Sequence, residues 1–262
     1  MGQLDGRVVI VTGASRGIGK EIATLFAAEG AKVIAAARTE HEGDHQLEGS
    51  LDATIAEIRA AGGEATAVRA DVSDPEEIER LVGTARSTYG PVSVLVNNAA
   101  LTYYTPIKDF PLRRWQKMID VDLTGPMLLC QAVLPDMLAA GRGHIVNISS
   151  RAAIHPVAPY EYARMGGTTY GVVKAGIERF SSGLAAELYE DNIAVNALSP
   201  EGIVPSPGVL FHKLVKDASD PRAEPVEYMA RAALILATCE PKELTGQITY
   251  SQPLLKKHGV LA

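Results

Sequence analysis

The chain has 262 residues, 47% of them hydrophobic, enough to bury a substantial core. A formal net charge of −6 offers no basic surface, which argues against nucleic acid or an anionic membrane as a partner. No uninterrupted apolar run reaches membrane-spanning length, the N-terminus lacks a basic segment followed by an apolar one, and Gly6 sits where N-terminal lipidation at Met1-Gly2 would need Ser or Thr.

An apolar strand over 7–12 ends in Thr12-Gly13-Ala14-Ser15-Arg16-Gly17-Ile18-Gly19 and opens a helix over 20–29. Such a turn aims the free N–H groups of a helix N-terminus at an anion. Gly13 permits the tight turn, Gly17 removes a side chain where a phosphate must approach, and Gly19 lets the helix lie close on its strand. The spacing, G-x-x-x-G-x-G, is a variant of the dinucleotide-binding turn. A second strand over 32–37 leads through Arg38 into a polar stretch over 39–50. There His41-Glu42-Gly43-Asp44-His45 matches the His-Glu-x-x-His zinc-peptidase string, but the glycine-interrupted setting predicts a solvated loop and no metal site.

A helix over 51–61, a strand over 64–70, a helix over 76–89 and a strand over 92–97 follow, with Asp71-Val72 and Asn97-Asn98-Ala99-Ala100 at the strand ends. The apolar pattern over 112–140 predicts one long helix, and a strand over 144–149 runs into Ser149-Ser150. The segment 151–169, with Pro156, Pro159, Tyr160, Tyr162 and Gly166-Gly167, is irregular and precedes a helix over 169–190. A strand over 194–198, an irregular region over 200–225 and a strand over 247–250 complete the order. Cys130 and Cys239 fall in apolar helical patterns and read as buried reduced thiols of a cytoplasmic protein.

This alternation, with no Pro/Gly/Ser-rich linker, predicts a single α/β domain over 1–262: a doubly wound parallel seven-stranded sheet in a three-layer α/β/α arrangement. The strands are nearly continuous apolar runs, as strands covered on both faces should be. Ligands of such sheets sit beyond the carboxyl ends of the strands, where 151–169 and 200–225 fall.

Tyr170 and Lys174, four apart on a predicted helix, project from one face. A phenol with an ordinary pKa of roughly 10 is a poor base at neutral pH, and a neighbouring ammonium has the sign of field that favours its ionised form. Tyr104 and Lys108 share the spacing, but Pro106 breaks the turn between them. Serine at the carboxyl end of a strand can hydrogen-bond and position a substrate carbonyl or alcohol.

In the Thr12–Gly19 turn, Asp71-Val72, Asn97-Asn98-Ala99-Ala100, Ser150, Tyr170 with Lys174, and Asn196-Ala-Leu-Ser-Pro200, the chain resembles the short-chain dehydrogenase/reductase family over nearly its whole length. The resemblance implies a single Rossmann domain and a small-molecule carbonyl or alcohol substrate, reduced or oxidised with a nicotinamide cofactor. It implies Tyr170 as general acid/base, Lys174 as the residue that acidifies it and holds the nicotinamide ribose, and Ser150, with Ser149 the alternative, as the group orienting the reacting oxygen. Gly13, Ser15, Arg16, Gly17, Ile18 and Gly19 would bind the cofactor through the turn. Asp71 and Val72 would meet adenine, Asn98, Ala99 and Ala100 the adenosine side and ribose, and Pro200 with Ile203 the nicotinamide. No carboxylate stands near Ala37 to take a ribose 2′-OH, while Arg38 and Arg16 could flank a 2′-phosphate, so NADP(H) is the expected cofactor and NAD(H) the possible one.

The chain also departs from the family. Asp122 occupies the relay position where relatives carry asparagine, and is expected to hold the relay water as an acceptor. The interval from Ser150 to Tyr170 is longer than usual, adding Glu161, Tyr162, Arg164 and Met165 as one wall of the pocket or a surface loop. Glu201 follows Pro200 where glycine is common, Ser206 is the expected substitute for a threonine near the cofactor carboxamide, and Tyr250-Ser251-Gln252-Pro253 replaces a glycine-rich ending. Leu101, Tyr103, Tyr104, Tyr160, Tyr162, Val209 and Phe211 favour a mostly apolar substrate, and a homodimer or homotetramer is expected. The alternatives are an NAD-dependent alcohol or hydroxysteroid dehydrogenase and a nucleotide-binding scaffold without turnover.

Overall fold

The computed structural model describes residues 2–157 and 166–261, so Pro159, Tyr160, Glu161, Tyr162, Arg164 and Met165 lie outside the described residues. Seven strands form one sheet: β1 (Val8–Thr12), β2 (Lys32–Ala37), β3 (Glu64–Arg69), β4 (Val94–Asn97), β5 (Gly143–Ile148), β6 (Ile193–Ser199) and β7 (Ile248–Tyr250). Every pairing is parallel and the order is β3-β2-β1-β4-β5-β6-β7. The order reverses between β1 and β4, the crevice where open α/β sheets take their ligands.

The helices are α1 (Gly17–Ala28), α2 (Leu51–Ala60), α3 (Pro75–Tyr89), α4 (Leu112–Ile119), α5 (Gly125–Ala140), α6 (Thr168–Glu187), α7 (Pro207–Phe211), α8 (Val226–Thr238) and α9 (Ser251–Lys257). Local chemistry sets several ends. The Ser50 side chain accepts from Ala53 N at the start of α2, Asp74 caps α3 with Pro75 in its first turn, and Gly141 closes α5 in the left-handed conformation at φ 63°.

Successive strand residues face opposite layers. Val9, Val11, Val33, Val94, Val96 and Val146 pack against α1, α8 and α9, while Val8, Ile10, Ile34, Leu95, Ile145 and Val195 pack against α3 and α5. Fully buried side chains such as Phe26 and Ile22 each contribute about 1.5–3 kcal/mol by removal from water.

One element differs from the expected pattern. The segment 112–140 is not a uniform helix, because Asp120–Thr124 forms a π-turn between α4 and α5. A one-residue widening keeps helical continuity and most of the apolar face, so periodicity does not reveal it. Taken together, Leu112–Ala140 is long and apolar enough, by length and composition alone, to cross a membrane, although Arg113, Arg114, Lys117, Asp120, Asp122 and Asp136 interrupt it as an apolar run. Here Met118, Val121, Leu129, Cys130, Val133 and Met137 are buried in the core.

Candidate functional site

The turn after β1 is built around backbone that only glycine fits. Gly13 has φ +67°, and a Cβ there would lie 2.7 Å from Asn98 Nδ2. A Cβ on Gly19 would run into the Gly13 carbonyl and Asn98 Nδ2, so α1 can start only this close to its strand without a side chain. The first turn of α1 receives no side-chain cap from Arg16, which leaves its N–H groups available to an anion. Gly17, at φ +58°, faces Ser206, whose Cβ would be 3.0 Å from a Cβ added at Gly17. Ser15 is buried, and Ile18 packs against the core.

The loop after β4 is fastened to this turn. Asn98 Nδ2 donates to Thr12 O at 2.9 Å and Gly13 O at 3.2 Å, while Asn98 N and Ala99 N donate to Thr12 Oγ1 at 3.0 and 3.1 Å. The Asn98 amide nitrogen is thus committed to bracing the turn. Ala100 follows at the exposed end of the loop. Beneath, Asn97 Nδ2 donates to Asn147 Oδ1 and Asn147 Nδ2 to Ser181 Oγ, both at 2.8 Å, a buried chain tying β4 and β5 to α6.

At the end of β2 the two arginines are arranged differently than expected. Arg16 Nε donates to Glu48 O at 2.8 Å, and its Nη2 to Gly49 O at 2.7 Å, Leu47 O at 3.2 Å and Thr39 Oγ1 at 3.2 Å. Two of its three nitrogens therefore hold the 39–50 loop, leaving Nη1 for any ligand. Arg38 is half-exposed, with Nη1 4.0 Å from Asp71 Oδ2. It lines a polar cavity of about 550 Å³ with Arg69, Asp71, Ser73 and Lys117. Lys117, which carried no motif signal, donates to Ser73 Oγ at 2.6 Å and Asp71 Oδ2 at 3.2 Å. Burial pushes the Asp71 carboxyl up, but its bonds from Ser73 and Lys117 outweigh this and hold it below the usual range. Val72 is buried, its carbonyl against Gly125.

The His-Glu-x-x-His string lies in a non-helical loop, where His41 Nδ1 is 2.6 Å from Asp52 Oδ2 and His45 Nδ1 accepts from Leu47 N. Its imidazoles serve separate partners.

Beyond β5, Ser149 and Ser150 separate cleanly. Ser149 is buried and its Oγ donates to Glu178 Oε1 at 2.8 Å, fastening it to α6. Ser150 is half-buried and caps the 3₁₀ turn Arg151–Ala153, its Oγ accepting from Ala152 N at 3.2 Å and donating to no acceptor among the described residues. Arg151 pairs with Glu201 at 2.6 Å, joining this turn to the segment after β6.

Tyr170 and Lys174 lie on one face of α6, with Lys174 Nζ 5.6 Å from the Tyr170 ring centre. Lys174 is 4% exposed, and its Nζ donates to Ile148 O at 2.9 Å. Its Nζ stands 3.6 Å from Asp122 Oδ1, an ion-pair separation beyond good hydrogen-bond length, and that oxygen has no other protein partner among the described residues. Asp122 Oδ2 accepts from Leu101 N at 3.0 Å, and burial pushes its carboxyl up against the opposing pull of Lys174. The π-turn widening at 120–124 is what carries Asp122 to the loop after β4 and to Lys174 at once.

The remaining wall is aromatic. Tyr103 meets Phe110 edge-on at 6.3 Å, and Tyr104 meets His212 at 5.4 Å, bridging the loop after β4 to the end of α7. Burial raises the Tyr104 phenol to about 12, with Tyr170 contributing. Lys108 instead is exposed beside Asp109. Ile203 pairs with Ala223 in an isolated bridge, and Pro200 lies at the end of β6.

The short chain dehydrogenase family profile matches residues 7–208. Hydroxysteroid dehydrogenase-like protein 2 of Danio rerio is 33% identical over 259 residues, covering 99% of this chain; the chain spans 60% of that relative's length. The 3-oxoacyl-[acyl-carrier-protein] reductase of a Synechocystis strain is 38% identical over 200 residues, 76% of this chain and 75% of that protein. A variant of actinorhodin polyketide ketoreductase, solved with NADPH, superposes with a TM-score of 0.80 at 30% identity, over 95% of this chain and 97% of the other. The chain belongs to the short-chain dehydrogenase family.

Proposed function

We propose that the chain transfers a hydride between NADP(H) and the carbonyl or alcohol carbon of a mostly apolar small molecule, with Tyr170 as general acid/base. The observation that carries this reading is Lys174, a buried ammonium held by Ile148 O and Asp122 beside Tyr170, one strand end away from the hydroxyl of Ser150. The glycine turn fits a dinucleotide: the uncapped N–H groups of α1 would take the diphosphate, and Gly17 carries no side chain between them and Ser206. Arg38 and Arg16 Nη1 would take the 2′-phosphate, Asp71 and Val72 the adenine, and Pro200 with Ile203 would wall the nicotinamide.

When bound, the nicotinamide supplies or accepts the hydride. In reduction Tyr170 Oη gives its proton to the substrate oxygen, and in oxidation it takes that proton from the alcohol. Ser150 Oγ donates a hydrogen bond to the same oxygen and fixes its place. The Lys174 ammonium stabilises the phenolate left behind, and Asp122 moderates that charge while holding the loop at Leu101. Tyr103, Tyr104 and Phe211 exclude water from the apolar side.

An NAD(H)-linked version has one observation in its favour, the commitment of Arg16 to the 39–50 loop. Titration with both cofactors separates the two, since tighter NADPH than NADH binding supports the first. A ketone and alcohol panel with Tyr170→Phe then tests the chemistry. The variant is expected to bind NADPH as the wild type does and lose at least about a thousandfold in turnover. Turnover within tenfold of the wild type would refute the assignment of Tyr170.

A further inference from the structure

Glu224 lies in the region after β6 that the sequence reads only as irregular, yet it is 1% exposed. Its Oε2 accepts from Gly202 N at 2.9 Å and from Gln252 Nε2 at 2.9 Å, and its Oε1 accepts from Ser251 Oγ at 2.5 Å. Ser251 Oγ in turn accepts from Glu201 N at 3.0 Å. The backbone at 202 is seated hard on this carboxylate's own segment: a Cβ at Gly202 would come within 2.9 Å of both Arg222 O and Glu224 Cβ. One buried side chain therefore joins the backbone just beyond β6 to the first turn of α9. The far end of the same loop carries Ser206, which lies over Gly17 of the glycine turn.

Burying a carboxylate is costly unless several donors satisfy it, and an apolar side chain would fill the space at lower cost. What the carboxylate adds is direction, because three donors from two segments, the loop after β6 and the first turn of α9, converge on its two oxygens. We propose that Glu224 is a positioning residue for the dinucleotide site, fixing Gly202 so that the segment after it holds Ser206 at a set place over the Gly17 turn. The proposal rests on that turn being the NADP(H) site. Gly202 N and Gln252 Nε2 can only donate, so an amide at 224 keeps its oxygen on them and turns an N–H group on Ser251 Oγ, which must then accept a second bond beside that from Glu201 N and loses the acceptor for its own proton.

The test compares the purified full-length wild type, Glu224→Gln and Gln252→Ala, each at a fixed interval below its own melting temperature. NADPH affinity is read by nucleotide fluorescence, and KM is measured for NADPH and for a ketone turned over by the wild type. Glu224→Gln is expected to weaken NADPH binding about tenfold, raise the KM for NADPH in parallel, and leave the KM for ketone within about twofold. Gln252→Ala keeps the carboxylate and removes one partly exposed donor, so it reports even if Glu224→Gln does not fold; about threefold weaker NADPH binding is expected. A lower melting temperature with NADPH affinity within about twofold of the wild type in the variants that fold would overturn the proposal. A wild type that binds no NADPH would instead overturn the NADP(H) reading beneath it.

Discussion

His144, on β5 at the end of the sheet away from the cofactor crevice, gives a prediction whose size follows from its surroundings. It is 0% exposed, with Nδ1 2.9 Å from Arg7 Nη2 and Nε2 2.8 Å from Cys239 O. A guanidinium can only donate, so Nδ1 must accept and Nε2–H must donate, which fixes one neutral tautomer. Burial is the main cause, and Arg7 a further one, of a fall in its pKa from 6.5 to about 4, the Cys239 bond opposing. The unfolded chain therefore binds the extra proton first. Stability is fully present above the unfolded value, falls as pH drops through the interval, and levels off below the folded value. The gap corresponds to about 3 kcal/mol in all, of which about 2 kcal/mol is lost by roughly pH 5. Equilibrium urea titrations at about pH 7.5 and pH 5 measure it, with His144→Gln as the control in which the other titrating groups cancel. The variant is expected to be less stable near neutral pH, because a longer, flexible amide replaces a fully buried ring, but to lose less on acidification. Equal losses in both proteins would refute the argument.

Asp122→Asn removes a negative charge 3.6 Å from Lys174, so the ammonium acts unopposed on the site. The pH dependence of alcohol oxidation is expected to move toward acid by about one unit, and an unmoved profile would deny Asp122 an electrostatic role. Arg38→Ala should weaken NADPH binding about tenfold and leave NADH binding nearly unchanged, as parallel titrations would report. Burial pushes the Cys130 thiol up to about 12 and the Cys239 thiol to about 11. Iodoacetamide near neutral pH is therefore expected to modify neither in the folded chain and both after denaturation, by mass spectrometry.

The sheet was legible because parallel strands are covered on both faces, so Val8-Val9-Ile10-Val11 and its counterparts stand out as unbroken apolar runs. Edges moved only where hydrogen bonding decides: β4 starts at Val94 rather than 92, because Val92 N bonds the Asp136 carboxylate instead of a neighbouring strand. The expected site residues fall at the carboxyl end of that sheet, and the bond between Ser149 and Glu178 distinguishes that serine from Ser150. What stayed hidden depends on the path of loops. Arg16 looked free until the 39–50 loop folded its carbonyls around it, and Lys117 and Glu224 belong to no motif because their partners are distant in sequence. The π-turn was invisible for a different reason, since one additional residue leaves the apolar stripe intact.

The strand order also governs assembly. β1 forms near the start of the chain but ends up in the middle of the sheet, flanked by β2 on one side and β4 on the other. Its second flank stays open until the polypeptide has continued through β2, β3 and α3, and every neighbour arrives by a long crossover. Parallel pairing of this kind closes slowly, because chain entropy must be overcome before contacts form. During that interval the half-built sheet presents the Val9–Val11 edge, later matched by Val94–Val96, to any stray strand. Misassembly during refolding should therefore start there, at the seam that afterwards lies beneath the glycine turn.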